Sequence, residues 1–312
     1  MITARLYNAG YKSAWDAFID SSKNGTFMLK RDYVEYHADR FVDSSVVFCT
    51  DSDEMVAVLP ASRHGDELRS HGGLTYGGVI TNKRMTASRM LAVFDALKIF
   101  LRENGIVRLI YKRVPAIYYN YSSDEDLYAL FRNGAKLIRR DLSTVIDLVS
   151  PIPFSSVRVR YAKKARKMGL EVRESTDYER YISLLTDVLV ARHNVRPPHT
   201  AAELRLLASR FPETIKLFCA YQGEEMLSGV LIFDTPQVVH AQYIANSEEG
   251  RNVGALDLVM DYLINTYSLH HKYFDFGIST EDGGWILNEG LVGQKEMFGG
   301  RGVIYDFYSM EA

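Results

Sequence analysis

The chain has only two cysteines in 312 residues, Cys49 and Cys219. Two thiols cannot build a disulfide framework, and they lack the CxxC spacing of a zinc site. Both lie in apolar runs, VVFCT and KLFCA, where cysteine serves as a small buried hydrophobe. Long hydrophobic stretches are also missing: nothing approaches the roughly 20 apolar residues that a membrane-spanning helix needs. The first residues, MITARLYNAGYKSAWDAF, lack the apolar core and small-residue cleavage site of a secretory signal. A cytoplasmic protein is therefore the expectation, with peripheral membrane contact left open. Charge of one sign is absent too. A net charge of −2 leaves no footprint for nonspecific nucleic-acid binding. The eight histidines are scattered, and the His270-His271 pair has no partner ligands at zinc spacing, so no metal site is expected.

What the chain has is an internal repeat. ADRFVDSSVVFC (38–49) and ASRFPETIKLFC (208–219) share Ala, Arg, Phe, Phe and Cys in register. Twelve positions compared blindly share about one residue. An acidic turn and a second strand follow each copy, DSDEMVAVLPAS and YQGEEMLSGVLIF. Next come two helical stretches with apolar residues on one face. Met90, Leu91, Phe94, Leu97 and Leu101 mark the first, and Ala255, Leu258, Val259, Tyr262 and Leu263 the second. A strand follows each helix, at 107–114 and 273–279, and closing strands fall at 142–148 and 302–308. A period this long means a duplicated domain, because solenoid repeats are much shorter. The expected fold is α/β (α+β), with two tandem units at 1–150 and 151–312. Each should be a mixed, mostly antiparallel sheet with one parallel crossover, flanked by helices. The boundary is expected at Ser150-Pro151-Ile152-Pro153, where two prolines interrupt the pattern.

Several residues carry candidate chemistry. Arg251, Asn252, Val253, Gly254 and Ala255 run straight into the second striped helix. A glycine loop opening a helix reads either as a phosphate cradle or as room for close helix–sheet contact. Along VVHAQYIANS (238–247), alternation places His240, Gln242 and Ile244 on one face and Val239, Ala241 and Tyr243 on the other. His240 is of the residue type suited to a proton shuttle; a hydrogen-bonded structural histidine is the other reading. Asp275 lies in the apolar strand FDFGIS, where a carboxylate must be paired or functional. GGLTYGGVI (72–80) sets Tyr76 among glycines, a place for close backbone approach to a ligand or for a hairpin. Tyr118 belongs to an aromatic cluster suited to stacking on a sugar or nucleotide, or to packing. His199 sits in the proline turn RPPHT, which has no counterpart in the first half. Arg158, Arg160, Lys163, Lys164, Arg166 and Lys167 put six positive charges within ten residues. That stretch is either a solvated helix face or a contact for a diphosphate, transfer RNA or an anionic membrane.

This pattern resembles the double GNAT-fold acyltransferases, including the Fem-type peptidoglycan aminoacyltransferases. RVRYAKKARKMGLEV (158–172) is similar to their basic helix, FDFGIS (274–279) to the strand before their last helix, and QKEMFGG (294–300) to their lysine–phenylalanine–glycine motif. GNAT enzymes carry R/Q-x-x-G-x-G/A where the pyrophosphate of coenzyme A binds. Arg251 through Ala255 supply the arginine and first glycine, while Leu256 stands where a small residue is usual. The matching loop of the first half, TNKRMTASR (81–89), has no glycine, so the resemblance puts the donor on the second unit and the acceptor on the first. It further implies that Lys295 is the charged residue at the transfer site, with Asn288 nearby in a segment flanking the cleft. The implied activity is N-acyl transfer from acyl-CoA, acetyl-CoA foremost, to an amine on a small or carrier-linked acceptor. An amino sugar of a bacterial surface polysaccharide is the acceptor of first choice. Two alternatives stand beside it: a Fem-type enzyme taking its donor from aminoacyl-tRNA to extend a peptidoglycan precursor, and a non-catalytic ligand-binding tandem protein. The long helical arm common in Fem-type enzymes has no room between Leu170 and Ala312.

Overall fold

A computed structural model describes residues 1–70 and 72–312, apart from the side chains of Arg192 and His193. Strands in chain order are β1 Ile2–Leu6, β2 Val42–Asp43, β3 Val46–Thr50, β4 Met55–Leu59, β5 Ser62–His64, β6 Glu67–Arg69, β7 Ile80–Thr81, β8 Arg108–Lys112 and β9 Lys136–Asp147. They continue with β10 Glu171–Ser175, β11 Ile215–Gln222, β12 Glu225–Asp234, β13 Val238–Asn246, β14 Tyr273–Ile278, β15 Thr280–Glu281, β16 Ile286–Leu287 and β17 Arg301–Glu311. The α-helices are α1 Lys12–Asp20, α2 Arg31–Val34, α3 Ala87–Glu103, α4 Glu125–Arg132, α5 Ser156–Lys167, α6 Tyr178–His193, α7 Ala201–Arg210, α8 Glu248–Val253, α9 Ala255–Tyr267 and α10 Glu289–Glu296. The chain divides into two compact units. The first comprises Met1–Asp141, Asp282–Trp285 and Ile304–Ala312; the second comprises Leu142–Glu281 and Ile286–Val303.

In the first unit, β1, β3, β4 and β7 form an antiparallel sheet. A second group runs β2, β5, β6, β8 and the end of β17, with β6 parallel to β8 and the others antiparallel. Thr86 caps α3 by accepting the Arg89 N–H, and the buried face of α3 carries Met90, Phe94, Leu97 and Leu101. These pack on Val46, Phe48, Leu59, Leu109 and Tyr111 to make the first core. Each such side chain, fully buried, contributes about 1.5–3 kcal/mol of hydrophobic stabilisation.

The second unit repeats the plan. Strands β10, β11, β12 and β13 are antiparallel, β13 is parallel to β14, and β14 is antiparallel to the end of β9. Helix α9 buries Ala255, Leu258, Val259 and Leu263 against Val230, Ile232, Val239 and Phe274. Tyr262, expected on that face, lies at its margin, 39% exposed. Both cysteines are buried in equivalent hairpin strands. The tandem, mostly antiparallel α/β fold is therefore the one expected from the repeat.

Candidate active site in the second unit

Two local irregularities open a pocket in this sheet. Strands β13 and β14 pair only from Val238↔Tyr273 to His240↔Asp275 and then separate. In β13 a bulge intervenes, so that Ile232 faces Ala241 but Leu231 faces Tyr243, leaving Gln242 unpaired. An extra residue reverses the side-chain alternation beyond it. Ile244 therefore joins Val239 and Ala241 on the α9 side, and Tyr243 moves to the face of His240. The expected grouping of His240 with Ile244 fails for this reason.

Between the parted strands lies a cavity of about 440 Å³. Ile244 and Asn246 come from β13, Phe276 from β14, Leu256, Asp257 and Met260 from α9, and Arg158 and Tyr161 from α5. Arg251 and Lys295 complete its polar rim, with Leu291 and Phe298 adding apolar wall. Two polar atoms of its lining, Arg158 Nε and Asn246 Oδ1, are buried without a hydrogen-bond partner among the described residues. One is a donor and the other an acceptor.

Of the expected catalytic residues only Lys295 lines the cavity; His240 and Asp275 pair with each other on the sheet face opposite α9. Asp275 is fully buried and accepts bonds from Ser143 Oγ at 2.5 Å, Gly277 N at 2.8 Å and His240 Nδ1 at 2.9 Å. A carboxylate on Nδ1 assigns the proton to that nitrogen and leaves Nε2 as the acceptor. Lys295 Nζ donates to Gly277 O at 2.8 Å, Ile278 O at 2.9 Å and Ser279 Oγ at 2.8 Å. Burial pushes the Lys295 pKa down to about 8, and the carboxylate of Asp275 partly offsets it.

Residues 156–283 match a known family, the acetyltransferase (GNAT) domain. The chain carries a GNAT acetyltransferase domain. Its tandem architecture is Fem-like, and it is a GNAT-type transferase. Among solved structures, FemX aligns with a TM-score of 0.68 at 13% identity, covering 97% of this chain and 96% of FemX. The C-terminal domain of a putative lysylphosphatidylglycerol synthetase from Agrobacterium fabrum aligns at 0.57 and 12% identity, covering 88% and 90%. A tandem GNAT protein from the clavulanic acid biosynthesis pathway aligns at 0.52 and 11%, covering 100% and 98%. These likenesses show a shared fold. No curated protein matches the chain.

Within the GNAT domain the glycine segment is not a simple loop. Residues 248–253 are the short helix α8, capped by Ser247, and Gly254 joins it to α9 with φ 83°. A Cβ at Gly254 would lie 2.5 Å from the Tyr161 carbonyl oxygen, so glycine is required there by the approach of α5. Val253 and Ala255 are buried. Asn252 offers its carbonyl to Lys164 Nζ at 2.8 Å. Of the five expected donor residues, only Arg251 lines the pocket. Leu256, the departure from the family pattern, forms part of its wall.

Lys295, His240 and Asp275 are brought together, and Arg158 joins the pocket through a 3.1 Å ion pair with Asp257. The other expected substrate residues lie elsewhere. Asn288 caps α10 and donates to Glu281 at 2.8 Å. His199 is buried, with Nδ1 2.5 Å from the Tyr243 hydroxyl. Tyr76 and Tyr118 are buried in the first unit with ring centroids 4.7 Å apart. There Gly77 gives room to the Ser70 carbonyl, 1.5 Å from where its Cβ would be, so the close approach is to the protein's own backbone. Sequence reasoning missed Tyr161, Asn246, Asp257 and Phe276. An acidic residue in the first turn of α9, 99 positions from its arginine, carries no local signal.

Proposed function

We propose that the second unit catalyses N-acyl transfer from acyl-CoA to an amino group, with the pocket beside His240, Asp275 and Lys295 as the transfer site. The observation supporting this reading is a cavity with one unpaired donor and one unpaired acceptor in its wall and Lys295 in its lining, where β13 and β14 part just past the His240–Asp275 pair. An unpaired donor and acceptor together suit an amide-bearing ligand. Acyl-CoA supplies an acyl group already activated toward amines. Arg251 and Arg158 would hold its polar parts, and Leu256, Met260 and Phe276 its apolar parts. His240, held by Asp275, accepts at Nε2 the proton that the acceptor ammonium must lose. The free amine then attacks the thioester carbonyl, and the C–S bond breaks as coenzyme A leaves as a thiolate that takes up a proton. Lys295 is positioning: its three bonds hold the end of β14, and its charge favours negative charge developing nearby. The acceptor we favour is a small or carrier-linked amine such as an amino sugar, with the 1–150 half serving the acceptor.

The test is thermal unfolding with acetyl-CoA. A ligand bound only by the folded state at about 100 times its Kd adds about 2.7 kcal/mol, roughly 5–10 °C for a unit of this size. Arg251→Ala should shrink that shift. A Gly254 variant is a poor control, since its backbone and Tyr161 penalise any side chain. No shift at saturating acetyl-CoA sinks the donor assignment. A response to aminoacyl-tRNA alone would move the donor to that class, and binding without turnover would leave a ligand-binding protein.

A further inference from the structure

The first unit has a concave site of its own, outside the pocket described above. Alternation along β8 sends Leu109 and Tyr111 into the core and leaves Arg108, Ile110 and Lys112 on the opposite face. There a groove of about 410 Å³ is lined by Arg69, Arg108, Arg139, Ile110, Ile138 and Phe307, with Glu67 as its one carboxylate. Glu67 holds Arg69 and Arg108 together, which aims both guanidinium groups along the groove. Arg139 pairs with Asp141 at 2.9 Å. Lys112 Nζ and Arg139 Cζ each lie 4.7 Å from the centre of the Phe307 ring.

Two cations converging on one ring repel each other, and Asp141, paired with Arg139 and acting on Lys112, offsets part of that repulsion. Among the described residues, the ammonium of Lys112 has no hydrogen-bond or ion-pair partner. Burial pushes its pKa down to about 8, Asp141 pulling it up and Arg139 pressing it further down. Carboxylates do not cancel the excess. In the groove's own lining three arginines face one carboxylate, Glu67, while Asp141 and Glu311, the latter opposite Arg108 in register, lie outside it.

The groove continues into an apolar recess of about 210 Å³, where Ile138 and Arg139 meet Leu137, Gly283, Gly284 and Trp285. Asp282, Gly283 and Gly284 all have positive φ, 46°, 62° and 95°, and this tight turn presents Trp285 at 86% exposure. A large exposed aromatic beside Leu137 and Ile138 is an apolar platform next to a cationic one.

We propose that this face of the first unit binds a phosphate ester joined to an apolar body. The phosphate sits among Arg69, Arg108 and Arg139, which line the groove, with Lys112 next to its Phe307 wall, where charge-assisted bonds are strongest. The apolar body lies on Ile138 and Trp285. The same chemistry is offered by a soluble phosphate ester and by an anionic lipid headgroup. Nothing in it depends on the donor reading above.

The test uses the full chain and follows tryptophan emission, since Trp285 is exposed and Trp15, the other tryptophan, is buried. Phenyl phosphate, inorganic phosphate, and phosphatidylcholine vesicles with or without phosphatidylglycerol are the probes, with calorimetry measuring affinity. Phenyl phosphate should bind, shift the Trp285 emission and weaken as salt rises; inorganic phosphate should bind without the shift. Arg108→Gln leaves Glu67 its bond to Arg69 and should weaken binding about tenfold or more. Lys112→Met, which keeps the apolar stem, should do the same and decides the matter if Arg108→Gln fails to fold. Saturation by phenyl phosphate assigns a soluble source, and a response only to phosphatidylglycerol vesicles assigns a lipid one. The proposal is overturned by no response to any probe, by affinity unchanged in both variants, or by loss of binding in Arg251→Ala, which would place the ligand in the other unit.

Discussion

At the scale of single residues, the hydrogen bond between Asp275 and His240 decides which histidine nitrogen is available. Asp275→Asn keeps the shape but offers Nδ1 an amide in place of a carboxylate, and His240→Gln removes the basic nitrogen altogether. Under the acyl-transfer reading, His240→Gln should lower kcat/KM by about 10²- to 10⁴-fold. An unchanged rate constant would return His240 to a structural role. Lys295 gives a pH test with a definite sign. Its pKa lies near 8, below the ordinary 10.5, so the folded protein holds fewer protons than the unfolded chain between those values. This group's contribution to stability therefore rises with pH across that window, while any step needing the ammonium slows as pH rises through about 8. The alkaline limb of a kcat/KM profile should vanish in Lys295→Met. If it persists there unchanged, another group is responsible.

At the scale of elements, the α5–α9 pair carries the pocket. Ser155 caps α5, Ala162 and Ala165 bury its inner face, and Arg158 and Lys164 reach across to Asp257 and Asn252. Part of the basic stretch is thus committed to packing, and its other charges stay on the surface. Gly254 is the contact point. Gly254→Ala faces both a φ of 83° and the Tyr161 carbonyl, so denaturant unfolding should register a loss of about 1–3 kcal/mol. A loss under 0.5 kcal/mol would show that α5 yields easily. The Arg158–Asp257 pair is largely buried, with side chains 14% and 8% exposed. Breaking it from one side strands a carboxylate that burial already pushes toward protonation, against the pull of Arg158. Arg158→Gln should cost roughly 3–5 kcal/mol, and adding Asp257→Asn should restore part of it. Costs that simply add in the double variant would mean the two groups are not coupled.

At the scale of the whole chain, the ends of the sequence and of the units do not coincide. The final strand segment, Ile304–Ala312, belongs to the first unit, where Phe307 through Glu311 pair with Lys112 through Arg108. Removing those nine residues should strip hydrogen-exchange protection from β8, whose ladder partner is lost, while β11 to β13 keep theirs. Equal loss in both would show that the units unfold together. The prolines at 151 and 153 mark a break in periodicity, and a folding boundary near residue 150 is our proposal for how the repeat was joined.

The duplicated pattern, the striped helices and the paired hairpins were legible because they depend on local periodicity, 3.6 for helices and 2 for strands, which burial of one face imposes directly on residue order. Lys295, His240 and Asp275 were legible as types, since an apolar strand tolerates a carboxylate or histidine only with a partner. Their meeting was not, because it depends on three separate elements converging. The bulge at Gln242 left no mark in composition, yet it exchanged the faces of Tyr243 and Ile244. Tyr76 and Tyr118 looked like ligand platforms because aromatic residues beside glycines serve packing and stacking alike. The sequence by itself determined the repeat, the element types and the chemical inventory, all consequences of neighbours along the chain. Only the tertiary structure decided which charges meet, which glycine makes room for which carbonyl and where the strands part, because those outcomes rest on contacts between residues distant in sequence.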